Sequence, residues 1–189
     1  MIDIDGSKKS GSGTIVRDAL MYAILMQDEL HIRNIRARRQ EPGLRPQHLK
    51  VLEAAAQLSG ARIEGGFVGS EEIRFKPQPV IRGGNYRWDI GTAGSTVMLA
   101  HSLLPLALFA ERASIYTLTG GLFQDFAPSA YHFQFALLPL LRKMGVASDA
   151  KILCPGYVPR GGGEIEVTIQ PVNKNLKSLE SLTPGSVSG

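Results

Sequence analysis

Cysteine is almost absent. Cys154 is the one thiol in 189 residues, which excludes an intramolecular disulfide and fits a reducing compartment. One cysteine and four scattered histidines do not make a zinc ligand set, so no metal site is expected. Ser-His-Asp chemistry has no supporting motif. No apolar run is long enough to span a bilayer: the longest, near Leu103–Ala110, is interrupted by Pro105. The first residues carry Asp3 and Asp5 in place of a basic and then apolar leader. These absences predict a cytoplasmic protein with no membrane partner.

Apolar residues make up 43% and charged residues 20% of the chain, enough for a sizeable core and against global disorder. The length suggests one domain, or two small repeated units. The net charge of +4 says little about partners by itself. Its distribution says more, because Arg33, Arg36, Arg38, Arg39 and Arg45 fall in one short segment. A guanidinium is a planar fork that matches phosphate oxygens.

Two halves of roughly 85 residues each repeat the same order of signals. The first opens on a short apolar run, Met1–Ile4, and a Gly/Ser turn at Ser10–Gly13. A helical pattern follows through Ile15, Val16, Ala19, Leu20, Ala23 and Ile24, then a strand-like run, Leu30–Ile35. After an irregular Arg/Pro/Gly segment, a second helix is predicted over His48–Leu58 with Gly60 as its stop. Ala61–Glu64 and Glu72–Phe75 read as closing strands.

The second half offers a strand at Tyr86–Ile90, a small-residue turn at Gly91–Ser95 and a helix over Thr96–Phe109 that Pro105 should bend. A strand at Ala113–Leu118, an irregular segment at Gly120–Pro128 and a helix at Tyr131–Lys143 stopped by Gly145 come next. Strands at Val146–Leu153 and Glu164–Gln170 end the half. The expected fold is α+β: tandem β-α-β-α-β-β repeats, each a four-stranded sheet with two helices on one face. The expected division is 1–84, 85–172, and 173–189 as a linker or the start of an inserted domain, where Leu176, Leu179 and Leu182 precede Pro184 and Gly185.

Particular residues carry more than the pattern. The run Asn34-Ile35-Arg36-Ala37-Arg38-Arg39-Gln40-Glu41-Pro42-Gly43-Leu44-Arg45-Pro46-Gln47-His48-Leu49 resembles a signature of RNA 3'-terminal phosphate cyclases. Arg82–Tyr86, Ile90–Ser95, Gly120-Gly121, Gly156-Tyr157 and Pro159–Glu164 match in the same order. The resemblance implies three such repeats with a smaller domain inserted before the third, of which this chain would hold the first two. It implies ATP, with a divalent cation such as Mg, and RNA ending in a 3'-phosphate as partners. A family histidine, expected beyond Gly189, accepts AMP from ATP. The AMP then passes to the RNA phosphate, and the 2'-hydroxyl closes a 2',3'-cyclic phosphate.

Carried onto this chain, the resemblance places Arg17, Arg36, Arg39 and Gln47 at the phosphate and RNA, and Gly94, Ser95 and His101 at the nucleotide. Arginines there would hold phosphoryl oxygens through charge-assisted bonds. Helix starts at Gly11–Gly13 and Gly91–Ser95 would favour anions. The plain alternatives are a solvated basic loop for the arginines and a simple cap for the Gly-Ser turn. Arg38 and Arg45 read as surface or backbone-phosphate contacts. His48 reads as structural.

The chain departs from the family at several positions. Ser10 stands where the family usually has a glutamate, Thr14 where it has a glutamine, and His101 where a glutamine contacts the nucleotide. Leu122–Phe126 replaces a polar stretch, so Phe123 and Phe126 either stack on bases or pack at an interface. Tyr131 replaces an acid. Two readings follow: a cyclase that needs its remaining half, or a non-catalytic relative that binds RNA ends or nucleotide. Enolpyruvyl transferases use similar repeated units, but their arginine pattern differs from Arg36–Leu49. An incomplete three-unit architecture would expose apolar surface, so a homodimer is expected to cover it.

Overall fold

The computed structural model describes residues 1–172 and 175–179. Two four-stranded mixed sheets carry four helices. In the first unit β1 (Ile2–Asp5) leads to α1 (Gly13–Met26), β2 (Leu30–Arg33), α2 (Pro46–Ser59), β3 (Arg62–Glu64) and β4 (Ile73–Lys76). The strand order is β1-β2-β4-β3, with β1 parallel to β2 and the remaining pairs antiparallel.

The second unit repeats the topology. It contains β5 (Gly84–Asp89), α3 (Thr96–Leu108), β6 (Ser114–Gly120), α4, β7 (Ser148–Cys154) and β8 (Gly163–Ile169), in strand order β5-β6-β8-β7. Helix α4 runs in three pieces, Ala130–His132, a π-helical turn at Phe133–Leu137, and Leu138–Lys143. Pro139 has no amide to offer the preceding turn, and the Leu138 N–H reaches back to the Phe133 carbonyl instead.

Alternation puts the sheets' apolar faces under the helices. In β2, Leu30 and Ile32 are buried while Arg33 is exposed; in β6, Tyr116 and Leu118 are buried. The far side of the first sheet is polar, with His31 between Asp3 and Glu72 and Arg33 on Asp3. Helix α3 is buried on nearly every side, from Val97 and Leu99 through Leu103, Leu106 and Ala107. A helix apolar all round belongs at the centre of a core, and α3 meets its own sheet on one side and α1 and α2 on the other.

One hydrophobic cluster therefore runs through both units. The seam is also pinned by polar contacts. Trp88 Nε1 in β5 donates to Gln57 Oε1 of α2 at 2.9 Å. The connecting segment is held by Arg82 N–H on the Leu58 carbonyl and Glu111 N–H on the Ile81 carbonyl.

The structure moves several expected boundaries. Strand β2 ends at Arg33, because Asn34 and Arg36 take left-handed backbone angles, both at φ 55°. Helix α2 starts two residues earlier than expected, on Pro46, which suits a first helical turn. Gly60 ends it in the left-handed conformation, at φ 63°. Helix α3 continues through Pro105 to Leu108. Gly84 opens β5. Of the expected linker, 173–174 and 180–189, with Leu182, Pro184 and Gly185, lie outside the described residues. No helix among the described residues is long and apolar enough to cross a membrane.

The second sheet buries the Tyr116 ring fully, edge-on to Tyr86 and Trp88. Among the described residues its buried hydroxyl makes no hydrogen bond of good geometry; the Ser114 hydroxyl interacts with it only weakly, so its desolvation is little offset. Replacing Tyr116 with Phe is expected to leave stability unchanged or raise it by up to about 1 kcal/mol in urea denaturation. A loss above about 1 kcal/mol would reveal a hidden partner for that oxygen.

Candidate functional site

The arginine-rich segment between β2 and α2 is pinned at both ends. Ile35 is buried and its N–H donates to the Glu71 carbonyl; Leu44 is buried and its N–H donates to the Ser70 carbonyl. Gly43 sits at φ +75°, where an added Cβ would lie 2.2 Å from the Gly69 carbonyl oxygen, so only glycine fits. Arg36 braces the loop internally: its Nη1 donates to the carbonyls of Glu41 at 2.7 Å and Gly43 at 2.9 Å.

The starts of α1 and α2 meet at His48. This residue lies in the first turn of α2 with only 3% of its surface exposed. Its Nδ1 accepts the Arg45 N–H at 3.2 Å. Its Nε2 lies against Gly13, the first residue of α1, where a Cβ would fall 1.9 Å from that nitrogen. Among the described residues the hydrogen bond of the His48 ring is the one at Nδ1, while Nε2 packs against the bare Gly13. Burial first, then the charges of Arg17, Arg36 and Arg45, push its pKa from the ordinary value down to about 3.

Three guanidinium groups thus act on one neutral imidazole. Arg17, 8% exposed, donates to Thr14 Oγ1 at 2.9 Å. Burial lowers its pKa, opposed by Asp18. Arg36 is also lowered, by burial and then by Arg45 and Arg39, against the pull of Glu41. Among the described residues Arg45 pairs with Glu41, while Arg17, Arg36 and Arg39 bond only neutral oxygens.

Arg39 reaches across to the turn ahead of α1. Its Nε lies 3.4 Å from the Gly11 carbonyl and its Nη2 3.2 Å from the Ser10 carbonyl. Ser12 caps α1 without a side-chain bond, because its hydroxyl faces that of Ser10 at 2.9 Å. The adjoining turn comes from the second unit. A Cβ on Gly94 would sit 3.2 Å from the Gln47 Cβ and 2.8 Å from Ile90 Cγ2, so the bare Gly94 lets Gln47 lie beside the Gly91–Ser95 turn.

Arg17, Arg36, Arg39 and Gln47 are therefore gathered around the two helix starts. Gly94 borders them. Ser95 is buried with its hydroxyl spent on the Met98 N–H at 3.1 Å, and the Thr96 N–H is spent on the Gly121 carbonyl at 3.0 Å. His101 is placed elsewhere, in a groove of about 340 Å³ with Asp18, Tyr22, Leu25 and Pro105 between α1 and α3. Sequence reasoning read Arg45 as a surface or backbone-phosphate contact and did not place it beside His48. It also missed Gly13 as the glycine that admits His48; a Gly ahead of one helix and a His in the first turn of the next give no local signal of their contact.

Chemically, this arrangement is a cluster of guanidinium groups whose neighbouring carboxylates are Asp18, beside Arg17, and Glu41, beside Arg36 and Arg45. An anion among them would relieve the mutual repulsion of the guanidinium groups and accept charge-assisted bonds. Phosphoryl oxygens fit that donor set. Among the described residues no three of His, Cys, Asp or Glu gather in a way that could hold a metal ion.

A family model described as RNA 3'-terminal phosphate cyclase matches residues 8–186. The chain is 46% identical over 171 residues to an RNA 3'-terminal phosphate cyclase of Archaeoglobus fulgidus, covering 90% of this chain and 52% of that protein. It is 45% identical over all 189 residues to an RNA 3'-terminal phosphate cyclase of Pseudomonas fluorescens, covering 54% of it. The chain thus spans about half the length of the curated relatives it matches. Among solved structures, the enolpyruvyl transferase NikO from Streptomyces tendae aligns with a TM-score of 0.44 at 14% identity, over 84% of this chain and 29% of that one.

Because the folded state holds His48 unprotonated down to about pH 3, the unfolded chain binds the extra proton between its ordinary pKa and that value. The contribution is full above about pH 6.5 and is lost as pH falls toward 3, at up to about 1.4 kcal/mol per pH unit. His48→Asn, which keeps an acceptor for Arg45 N–H and removes the titration, is expected to flatten the fall in melting temperature between pH 7 and pH 4. Parallel curves for the two proteins would overturn the assignment.

Proposed function

The chain belongs to the RNA 3'-terminal phosphate cyclase family, and from that premise we propose that its guanidinium cluster receives the terminal phosphate of an RNA, with ATP as the co-substrate. The observation that carries the reading is the convergence of Arg17, Arg36 and Arg45 on buried His48, where among the described residues Arg45 pairs with Glu41 while Arg17 and Arg36 bond neutral oxygens. Arg39, exposed and bonded only to backbone carbonyls, is free to turn its fork onto phosphoryl oxygens. Arg17 supplies charge from within the fold. Arg36 holds the loop while adding to the field. Gln47, at the edge of the second unit, suits a ribose hydroxyl.

In this reading the nucleotide lies at the start of α3, where Gly94 and Ser95 shape the turn, and extends toward exposed His101 in the groove between α1 and α3. ATP supplies the adenylyl group that makes a phosphate oxygen a leaving group for attack by the 2'-hydroxyl. The chain's own contribution is to hold two anions close together, which their repulsion opposes and the arginines make favourable. A divalent cation would ride on the ATP phosphates.

A second reading, a relative that grips RNA ends without catalysis, is favoured by one observation. The first turn of α1 carries no acid, Ser10 is occupied with Ser12, and Thr14 with Arg17. The two readings separate on product: cyclic phosphate formed with ATP supports the first, and phosphate-dependent binding without product supports the second.

Titration with an RNA bearing a 3'-phosphate, against the same RNA with a 3'-hydroxyl, is expected to show tighter binding of the phosphate. Arg39→Ala should weaken the phosphorylated RNA by about 1.5–3 kcal/mol, roughly ten- to a hundredfold, and leave the hydroxyl form unchanged. Equal affinity of the wild type for both ends would sink the reading.

A further inference from the structure

Four aromatic rings stand in line on the second unit. Tyr157 lies 5.5 Å from Phe123 with ring planes 27° apart; Phe123 lies 4.9 Å from Tyr131; Tyr131 lies 6.0 Å from Phe135 with planes 24° apart. Phe123 is half-buried, whereas Tyr157, Tyr131 and Phe135 are 59%, 57% and 68% exposed. Isolated exposed aromatics need no explanation, but four rings in contact, three of them more than half exposed, do.

The row is held by backbone geometry. Phe123 and Tyr157 face each other across a parallel bridge. Buried Leu122 anchors the segment: its N–H donates to the Gly156 carbonyl and its carbonyl accepts the Ala130 N–H at the start of α4. Tyr131 and Phe135 follow four residues apart, on one face of that helix. Exposed cations flank the row, with Arg160 in the Tyr157 loop and Arg142 and Lys143 at the far end of α4. Asp125 is the exposed acid within the connecting segment.

The near end of the row lies by the turn that borders Gln47. A Cβ on Gly121 would lie 2.4 Å from the Ala93 carbonyl oxygen, and one on Gly161 would lie 2.8 Å from the Thr92 carbonyl oxygen. The loops that carry Phe123 and Tyr157 therefore rest on the Gly91–Ser95 turn, which borders Gln47. From there the rings lead outward along α4.

We propose that this aromatic row is a stacking track for the unpaired bases that precede the terminal phosphate of a bound single-stranded RNA. The proposal rests on the preceding assignment of an RNA end to the guanidinium cluster and adds where the rest of the strand goes. Base–aromatic stacking is tolerant of sequence, since every base has a π face, and tracks of rings beside cations are how single strands are held without base-specific bonds. The continuity with the phosphate site and the flanking cations favour a polyanion over a protein partner.

The test measures affinity by fluorescence anisotropy for a 3'-phosphorylated dinucleotide and a 3'-phosphorylated RNA of about ten nucleotides. The wild type is expected to bind the longer RNA at least about tenfold more tightly. Tyr131→Ala/Phe135→Ala, at exposed positions, should erase that length dependence and leave dinucleotide affinity unchanged, with the thermal midpoint confirming the fold. Phe135→Trp should retain the effect and Phe135→Leu lose it, which separates stacking from general apolar contact. Undiminished length dependence in the double variant overturns the proposal. So does loss of self-association in that variant with RNA binding intact, which would mark a protein interface. Loss of end discrimination in the wild type, with ring-dependent length dependence preserved, would overturn the end-recognition reading alone.

Discussion

A missing side chain holds the site together. Because Gly13 has no Cβ, the imidazole of His48 can press against the first residue of α1 while its other nitrogen secures the start of α2. Two helix starts that arise more than thirty residues apart in sequence are brought together by this contact. Arg17 rides on one and Arg45 on the other, and the loop bearing Arg36 and Arg39 spans the space beside them. The cost is a buried ring beside three cations, tolerable only because the ring stays neutral. A lysine or a charged histidine there would add to the repulsion, and an acid would quench the local positive field.

That local arrangement depends on the packing beneath it. Helix α3 is buried from both sides, so the second unit is a structural floor for the first. Gly94, at the turn before α3, brings the second unit's backbone up to Gln47. The first unit thus supplies the cations, and the second brings its Gly91–Ser95 turn beside them, with the loops of the aromatic row resting on that turn. The polar outer face of the first sheet, with His31 between Asp3 and Glu72, takes no part.

Much of the fold was legible because its signals are periodic. The alternation in Leu30–Arg33 and in Gly163–Ile169, the spacing of Val16, Ala19, Leu20, Ala23 and Ile24, and the stop at Gly60 depend only on neighbours in sequence. The exceptions have local steric or covalent causes that no period reveals. Asn34 and Arg36 end β2 through left-handed angles that non-glycine residues adopt only where the surroundings fix them. Pro139 converts one turn of α4 into a π-helix. In the site, the concentration of arginines was plain, but their division of labour was not. Arg36 spends donors on its own loop, Arg45 joins the cluster, and His101 faces a separate groove; each of these facts needs three-dimensional contacts. The aromatic row was visible only as separate residues, because Tyr157 and Tyr131 approach Phe123 through pairing and packing, not through sequence.

The hydrogen bond from Trp88 to Gln57 has a practical consequence. The chain contains a single tryptophan, and it sits on the seam, with its indole stacked on Tyr86 of its own sheet and tied to a helix of the other unit. Its emission is therefore an intrinsic optical gauge of whether the two halves are docked. A quenched or red-shifted spectrum reports separation at that junction even while each half keeps its backbone structure, so fluorescence and far-ultraviolet dichroism together distinguish a parted molecule from a melted one.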